Sequence, residues 1–281
     1  MKARHLVVVL LAGGVRAADT ITDPQHRYVP RLWNDLVPRG TLHTALYNDG
    51  WTNHGPSLTA VATGRWETRG YMVPEETPGR TLVDAARRHG RTTLVISPPK
   101  DERLFTGGDV SHLVEIDMTA DAAPFASDDP GATLYALRSF DRAIVAAFLA
   151  LGARPDLTVL LFEDTDIAHQ ARWSRYAASI RQADALLWTL WQRLEADGDT
   201  DLLVLPLHGR PDHGQTRWGF LGHGRWDEGC THLWMLGLGP DFAPGRVVER
   251  RARLIDVPPT IARLLGFDFP CRGRALTELF A

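Results

Sequence analysis

Cysteine is scarce in this chain. Its 281 residues include two, Cys230 and Cys271, and neither lies in a CxxC pair. Two thiols build no disulfide framework, so reduced thiols are expected, with a single bridge left open for an exported protein. Charge of one sign is lacking too. Lys and Arg number 31 against 34 Asp and Glu, a formal net charge of −3. The arginines are scattered, so nothing points to nucleic acid or an anionic membrane as partner. No apolar run is long enough to span a membrane, and there is no internal repeat or low-complexity tract. What is there is an ordinary globular balance, 44% hydrophobic and 23% charged. A chain of this length buries a sizeable core, and one domain over residues 1–281 is expected.

The N-terminus fits two descriptions. Lys2, Arg4 and His5 precede an apolar run at 6–11, and Val15-Arg16-Ala17 has the outline of a cleavage site. The same run reads as a buried parallel strand followed by the turn Gly13-Gly14. The strand is the preferred reading, and with it a cytoplasmic protein.

Four further short apolar runs, at 92–97, 157–162, 202–207 and 233–238, have the character of buried strands. Between them lie amphipathic stretches at 82–88, ending at Gly90, at 134–151, ending at Gly152, and at 173–195. Strands alternating with helices predict an α/β fold: a three-layer sandwich with a mostly parallel sheet and helices on both faces. The Asp-, Ala- and Pro-rich segment 118–131 reads as a surface loop.

In such sheets chemistry sits in loops beyond the carboxyl ends of the strands, and five polar clusters fall at or near such places. Ala12-Gly13-Gly14-Val15-Arg16, then Asp19, follows the first run and reads as a tight turn. Trp51-Thr52-Asn53-His54-Gly55-Pro56-Ser57 precedes a helix start, with Thr52 and His54 just before it. Glu163-Asp164-Thr165-Asp166-Ile167-Ala168-His169 gathers three carboxylates and an imidazole, a ligand set for zinc or a harder ion. The same residues also describe an acidic helix N-terminus. His208-Gly209-Arg210-Pro211-Asp212-His213-Gly214 and Gly222-His223-Gly224-Arg225-Trp226-Asp227 complete the set. Arg16, Arg65, Arg210 and Arg225 are able to hold an anionic ester or simply to face solvent. Trp51, Trp66 and Trp226 either wall a pocket or pack in the core.

In this order the clusters resemble the alkaline phosphatase superfamily of phosphatases, sulfatases and phosphonate hydrolases. Counted back from Thr63-Gly64, His54-Gly55-Pro56-Ser57 matches the nucleophile loop. His208-Gly209 resembles the end of Asp-His-Gly, and His223-Gly224 the last metal histidine. Ile255-Asp256-Val257-Pro258-Pro259-Thr260-Ile261, Leu264-Leu265-Gly266 and Gly273-Arg274 resemble the closing segment. A second register, Asp212-His213-Gly214, spells the motif outright but lies past the strand end.

The resemblance implies divalent ions, often zinc, and a covalent intermediate on Thr, Ser or Cys. This chain departs from that pattern. Ala12 stands where the first metal Asp is expected, His54 at the nucleophile, and Leu207 at the Asp of Asp-His-Gly. The ligands expected are Asp164 or Asp166, His169 and His223 for one ion, with His208 left at a second. Zinc is the first choice, with manganese also suited, and one or two ions. His54 and Thr52 are the candidate catalytic residues. The implied activity is metal-dependent hydrolysis of a small phosphate or sulfate ester in a rebuilt site. An inactive relative that binds a ligand or partner protein is the alternative. The chain lacks a large cap, so the site is expected to be open or completed by a second subunit in a homodimer.

Overall fold

Residues 6–11 carry no polar side chain, and they form the strand on which the fold is organised. The computed structural model describes residues 3–66, 80–97, 139–152, 154–168, 173–212, 222–224 and 226–281. The strands are β1 (His5–Leu11), β2 (Gly40–Tyr47), β3 (Thr93–Ile96), β4 (Leu157–Phe162), β5 (Thr200–Pro206), β6 (His232–Leu238), β7 (Arg246–Val248) and β8 (Ala252–Arg253). The helices are α1 (His54–Thr63), α2 (Leu82–Arg88), α3 (Phe140–Leu149), α4 (Asp164–Ile167), α5 (Trp173–Asp197), α6 (Glu228–Thr231) and α7 (Val257–Leu264).

The sheet runs in the order β3-β4-β1-β5-β6-β2-β7, with β8 beside β2. All pairings are parallel except those made by β6, which runs against both β5 and β2. β1 is flanked by β4 and β5, with Leu6 opposite Leu157 and Asp201. Its side chains alternate between two cores. Leu6, Val8 and Leu10 pack with Leu58 of α1, Leu82 of α2 and Ile261 of α7. Val7, Val9 and Leu11 pack with Ile144 and Phe148 of α3, Ile180 and Leu187 of α5, and Leu32. A strand covered on both faces must be apolar on both, so it shows a continuous run rather than alternation. This is the expected α/β sandwich.

All five apolar runs are strands, and β1 is the first of them. β2 is not marked by an apolar run. Its Thr41, His43 and Thr44 break up the apolar pattern, although Thr41 and His43 are fully buried. The segment 118–131 lies outside the described residues. No helix among those described is long and apolar enough to cross a membrane.

Candidate metal and oxyanion site

β1, β2, β4 and β5 end at one edge of the sheet, and their exits are tied together there. Ala12 N–H donates to the Phe162 carbonyl (2.9 Å) and Leu207 N–H to the Leu11 carbonyl (3.0 Å). Beyond β2, Asn48 Nδ2 donates to Ser57 Oγ (2.9 Å) and to the Leu207 carbonyl (3.1 Å). That pair of bonds fixes the start of α1 against the exit of β5.

α1 begins at His54, earlier than the Pro56-Ser57 pair predicts. The Asn53 side chain caps it by accepting from His54 N–H (2.7 Å). His54 is therefore the first helical residue, and Nε2 of its ring lies 3.2 Å from Oε1 of Glu163. Glu163 leaves β4 and precedes α4. Together with Asp166, one turn further on, these residues offer three ligand atoms within 4.8 Å of one another.

Close approach is possible here because Gly13 follows β1. Gly13 has φ +75°, and a Cβ on it would stand 1.9 Å from Asp166 N. Only a residue without a side chain lets the β1 exit and α4 touch. Thr165 Oγ donates to the Ala12 carbonyl at the same junction.

Asp164 is turned elsewhere. Its carboxylate accepts from Ser139 Oγ (2.6 Å), from Phe140 N–H (2.9 Å) and from Gln182 Nε2. These contacts tie β4 to the start of α3 and to α5. Burial raises its pKa, against the lowering effect of those bonds. Asp141, wholly buried beside it, is also raised, first by burial and then by the Asp164 charge. The carboxylate that joins Asp166 and His54 is Glu163. The signal for it was positional, since Glu163 is the first residue past β4.

Two further candidate histidines, His208 and His223, sit together, their ring centroids 5.2 Å apart. Nδ1–H of His223 donates to the Thr52 carbonyl (2.7 Å), and Nδ1–H of His208 to the Gly209 carbonyl (2.9 Å). A carbonyl only accepts, so each ring holds a proton on Nδ1, and its neutral form has the lone pair on Nε2. Burial holds His223 below the usual imidazole pKa, and the nearby charges of Asp166, Arg210 and His54 act on it as well. Thr52 contributes its carbonyl to this pair, and its buried hydroxyl lies near the Cys230 thiol. Burial pushes the Cys230 thiol up to about 12, so it stays protonated at neutral pH.

A buried cation underlies the group. Arg210 is 0% exposed. Its Nε and Nη2 donate to the Gly13 carbonyl (2.9 and 2.7 Å), and Nη2 donates to the Thr165 carbonyl (2.6 Å). The guanidinium lies 4.5 Å from the Tyr176 ring centroid. Burial lowers its pKa to about 10, opposed by Tyr176, Asp166 and Asp19. It remains charged at neutral pH, beside Asp166. Arg16 is buried as well, whereas Arg65 faces solvent. Trp66 packs on the core and Trp226 is 82% exposed. His169, His213 and Arg225 lie outside the described residues.

An imidazole and two carboxylates at this separation suit one divalent ion with bonds of about 2.0–2.2 Å. Ala12 and Leu207 are fully buried and apolar, and supply no ligand.

No protein-family model matches the sequence, and no curated protein does. Solved structures match over almost the whole chain. An alkaline phosphatase superfamily protein from Vibrio parahaemolyticus is 20% identical, with a TM-score of 0.71, over 100% of this chain and 71% of that one. A 2-O GAG sulfatase is 13% identical at TM-score 0.70, over 99% and 74%. The phosphonate monoester hydrolase of Silicibacter pomeroyi is 15% identical at TM-score 0.66, over 97% and 75%. At these identities the likeness is one of fold, and it bears out the fold that the order of motifs implied.

Proposed function

We propose that this chain, which has the fold of the alkaline phosphatase superfamily, is a metal-dependent hydrolase of small phosphate or sulfate esters with a rebuilt site. The observation that carries this reading is the meeting of His54, Glu163 and Asp166 beyond the carboxyl ends of the strands. The named activities of two neighbours of the same fold, a sulfatase and a phosphonate monoester hydrolase, support the substrate class.

His54, Glu163 and Asp166 hold a divalent ion, with zinc the first choice from one imidazole and two carboxylates. Such an ion supplies positive charge that stabilises an oxyanion. Arg210 adds a fixed positive charge beside Asp166 that needs no reorganisation during reaction. His208 and His223, in their neutral Nδ1–H form, are suited at Nε2 to accept a proton from an attacking water or to serve as further ligands. The carboxylates of Glu163 and Asp166 exclude an anionic ester until a cation balances them.

The apolar Ala12 and Leu207 favour a second reading, a binding protein that keeps the fold without catalysis. Hydrolysis of aryl phosphate and aryl sulfate esters by purified protein, with zinc or manganese added after chelation, separates the two. Metal-dependent turnover supports the hydrolase. Metal binding without turnover of either ester supports the binding protein.

A further inference from the structure

Arg16 lies in the loop after β1, on the same edge of the sheet as the candidate site. Its guanidinium is paired twice. Nε and Nη2 donate to the two oxygens of Asp19 (2.6 and 2.9 Å). Nη1 donates to Asp212, on the loop after β5 and two residues past Arg210. Tyr176 fixes the inner half, since its hydroxyl donates to Asp19 (2.9 Å) and accepts from Arg16 N–H (3.1 Å). Trp173 lies 5.5 Å beneath the guanidinium. Although burial works against the charge, the bonds and charges of Asp19, Tyr176 and Asp212 keep Arg16 fully ionised.

The two carboxylates are held very differently. Asp19 has a side chain 7% exposed and makes the two-pronged contact that alone neutralises Arg16. Asp212 has a side chain 52% exposed and meets the same guanidinium as a second, surplus anion. It also sits beside Asp227, whose pKa is raised first by burial and then by the Asp212 charge. Asp212 therefore has water to return to and a like charge that pushes it away. The Nη1 edge it covers is preorganised by Asp19, Tyr176 and Trp173.

We infer that Arg16 is an anion clamp at the rim of the candidate site, covered by Asp212, and that a tetrahedral oxyanion binds by displacing the Asp212 carboxylate. A guanidinium edge suits the non-bridging oxygens of a phosphate or sulfate group. The clamp names a substrate-holding residue for the proposed hydrolase and rests on that reading for its biological use, but its chemistry is separable from the metal.

The test is calorimetric titration of chelator-treated, metal-free protein with inorganic phosphate and, separately, inorganic sulfate. Asp212→Asn removes the competing charge at a half-exposed position and is expected to tighten oxyanion binding about tenfold. Adding Arg16→Lys keeps a cation beside Asp19 but removes the guanidinium edge, and is expected to reverse that gain. Equal or weaker binding by Asp212→Asn overturns the clamp, and so does a gain that survives Arg16→Lys. Phosphate and sulfate responding alike identifies the oxyanion shape as what is read, and a response to one alone narrows the ester class. Because these titrations contain no metal, failure of metal-dependent hydrolysis leaves their outcome intact, and the clamp is able to fail while hydrolysis stands.

Discussion

Oε1 of Glu163 lies 3.2 Å from Nε2 of His54, joining the exit of β4 to the first residue of α1. Neither element supplies the contact by itself. Asn53 sets where α1 starts, and Gly13 lets α4 close on the β1 exit. If the pair holds a metal, Glu163→Gln keeps the shape and removes the charge. Zinc affinity is then expected to fall by about 100-fold, at or above the 10–100-fold usual for losing an outer-shell partner. Competition with a chromophoric chelator measures it.

Asp164 and Asp166 are two residues apart and have separate tasks. Asp164→Ala leaves the Ser139 hydroxyl and the Phe140 N–H without their acceptor, and Gln182 with Ser139 alone. A loss of about 2–4 kcal/mol in unfolding free energy is expected, with metal affinity in the remaining folded protein little changed. Asp166→Ala is expected to do the reverse, with small cost to stability and a large loss of metal affinity. Urea unfolding and metal titration on both variants check the pair.

The fold was more legible than the site. A strand covered on both faces writes itself as an apolar run, and Leu6 to Leu11 did so. β2 did not, because Thr41 and His43 are polar side chains buried within the sheet. The site clusters could be found because polar residues stand just past strand ends. Which member of a cluster faces the site could not. Asp164 and Glu163 are adjacent carboxylates, and only the partners brought by α3 and α5 decide that Asp164 turns inward. Arg16 and Arg210 were legible as candidate anion holders but their partners were not, since Asp19, Tyr176, Gly13 and Thr165 come from separate segments.

Gly13→Ala tests the close approach at the base of the site. The new Cβ would meet Asp166 N at 1.9 Å from a backbone with φ +75°. Both effects oppose the native structure, so a loss of about 2–4 kcal/mol is expected. Displacement of α4 should weaken metal binding as well. Unchanged thermal stability and metal affinity would show that the β1 exit and α4 are not in contact.

Far from the site, Asp201 carries a pH dependence of stability. Burial pushes its carboxyl up to about 8, with Asp241 beside it. In the unfolded chain it titrates near ~4. Between those values the folded state keeps a proton that the unfolded state has released. Its contribution to stability is therefore full at low pH and is lost as pH rises from about 4 to about 8. Asp201→Asn removes this titration. Urea unfolding is expected to show the variant gaining on wild type at pH 8.5 relative to pH 5. A difference that does not vary with pH would contradict the shift.

The most direct measurement is hydrolysis of p-nitrophenyl phosphate and p-nitrophenyl sulfate by chelator-treated protein across a zinc titration, for wild type and for His54→Ala. Activity that rises and saturates with zinc in wild type, and is abolished or needs far more zinc in the variant, is the predicted result. Turnover that ignores zinc, or that His54→Ala leaves untouched, would contradict a metal site built on His54, Glu163 and Asp166.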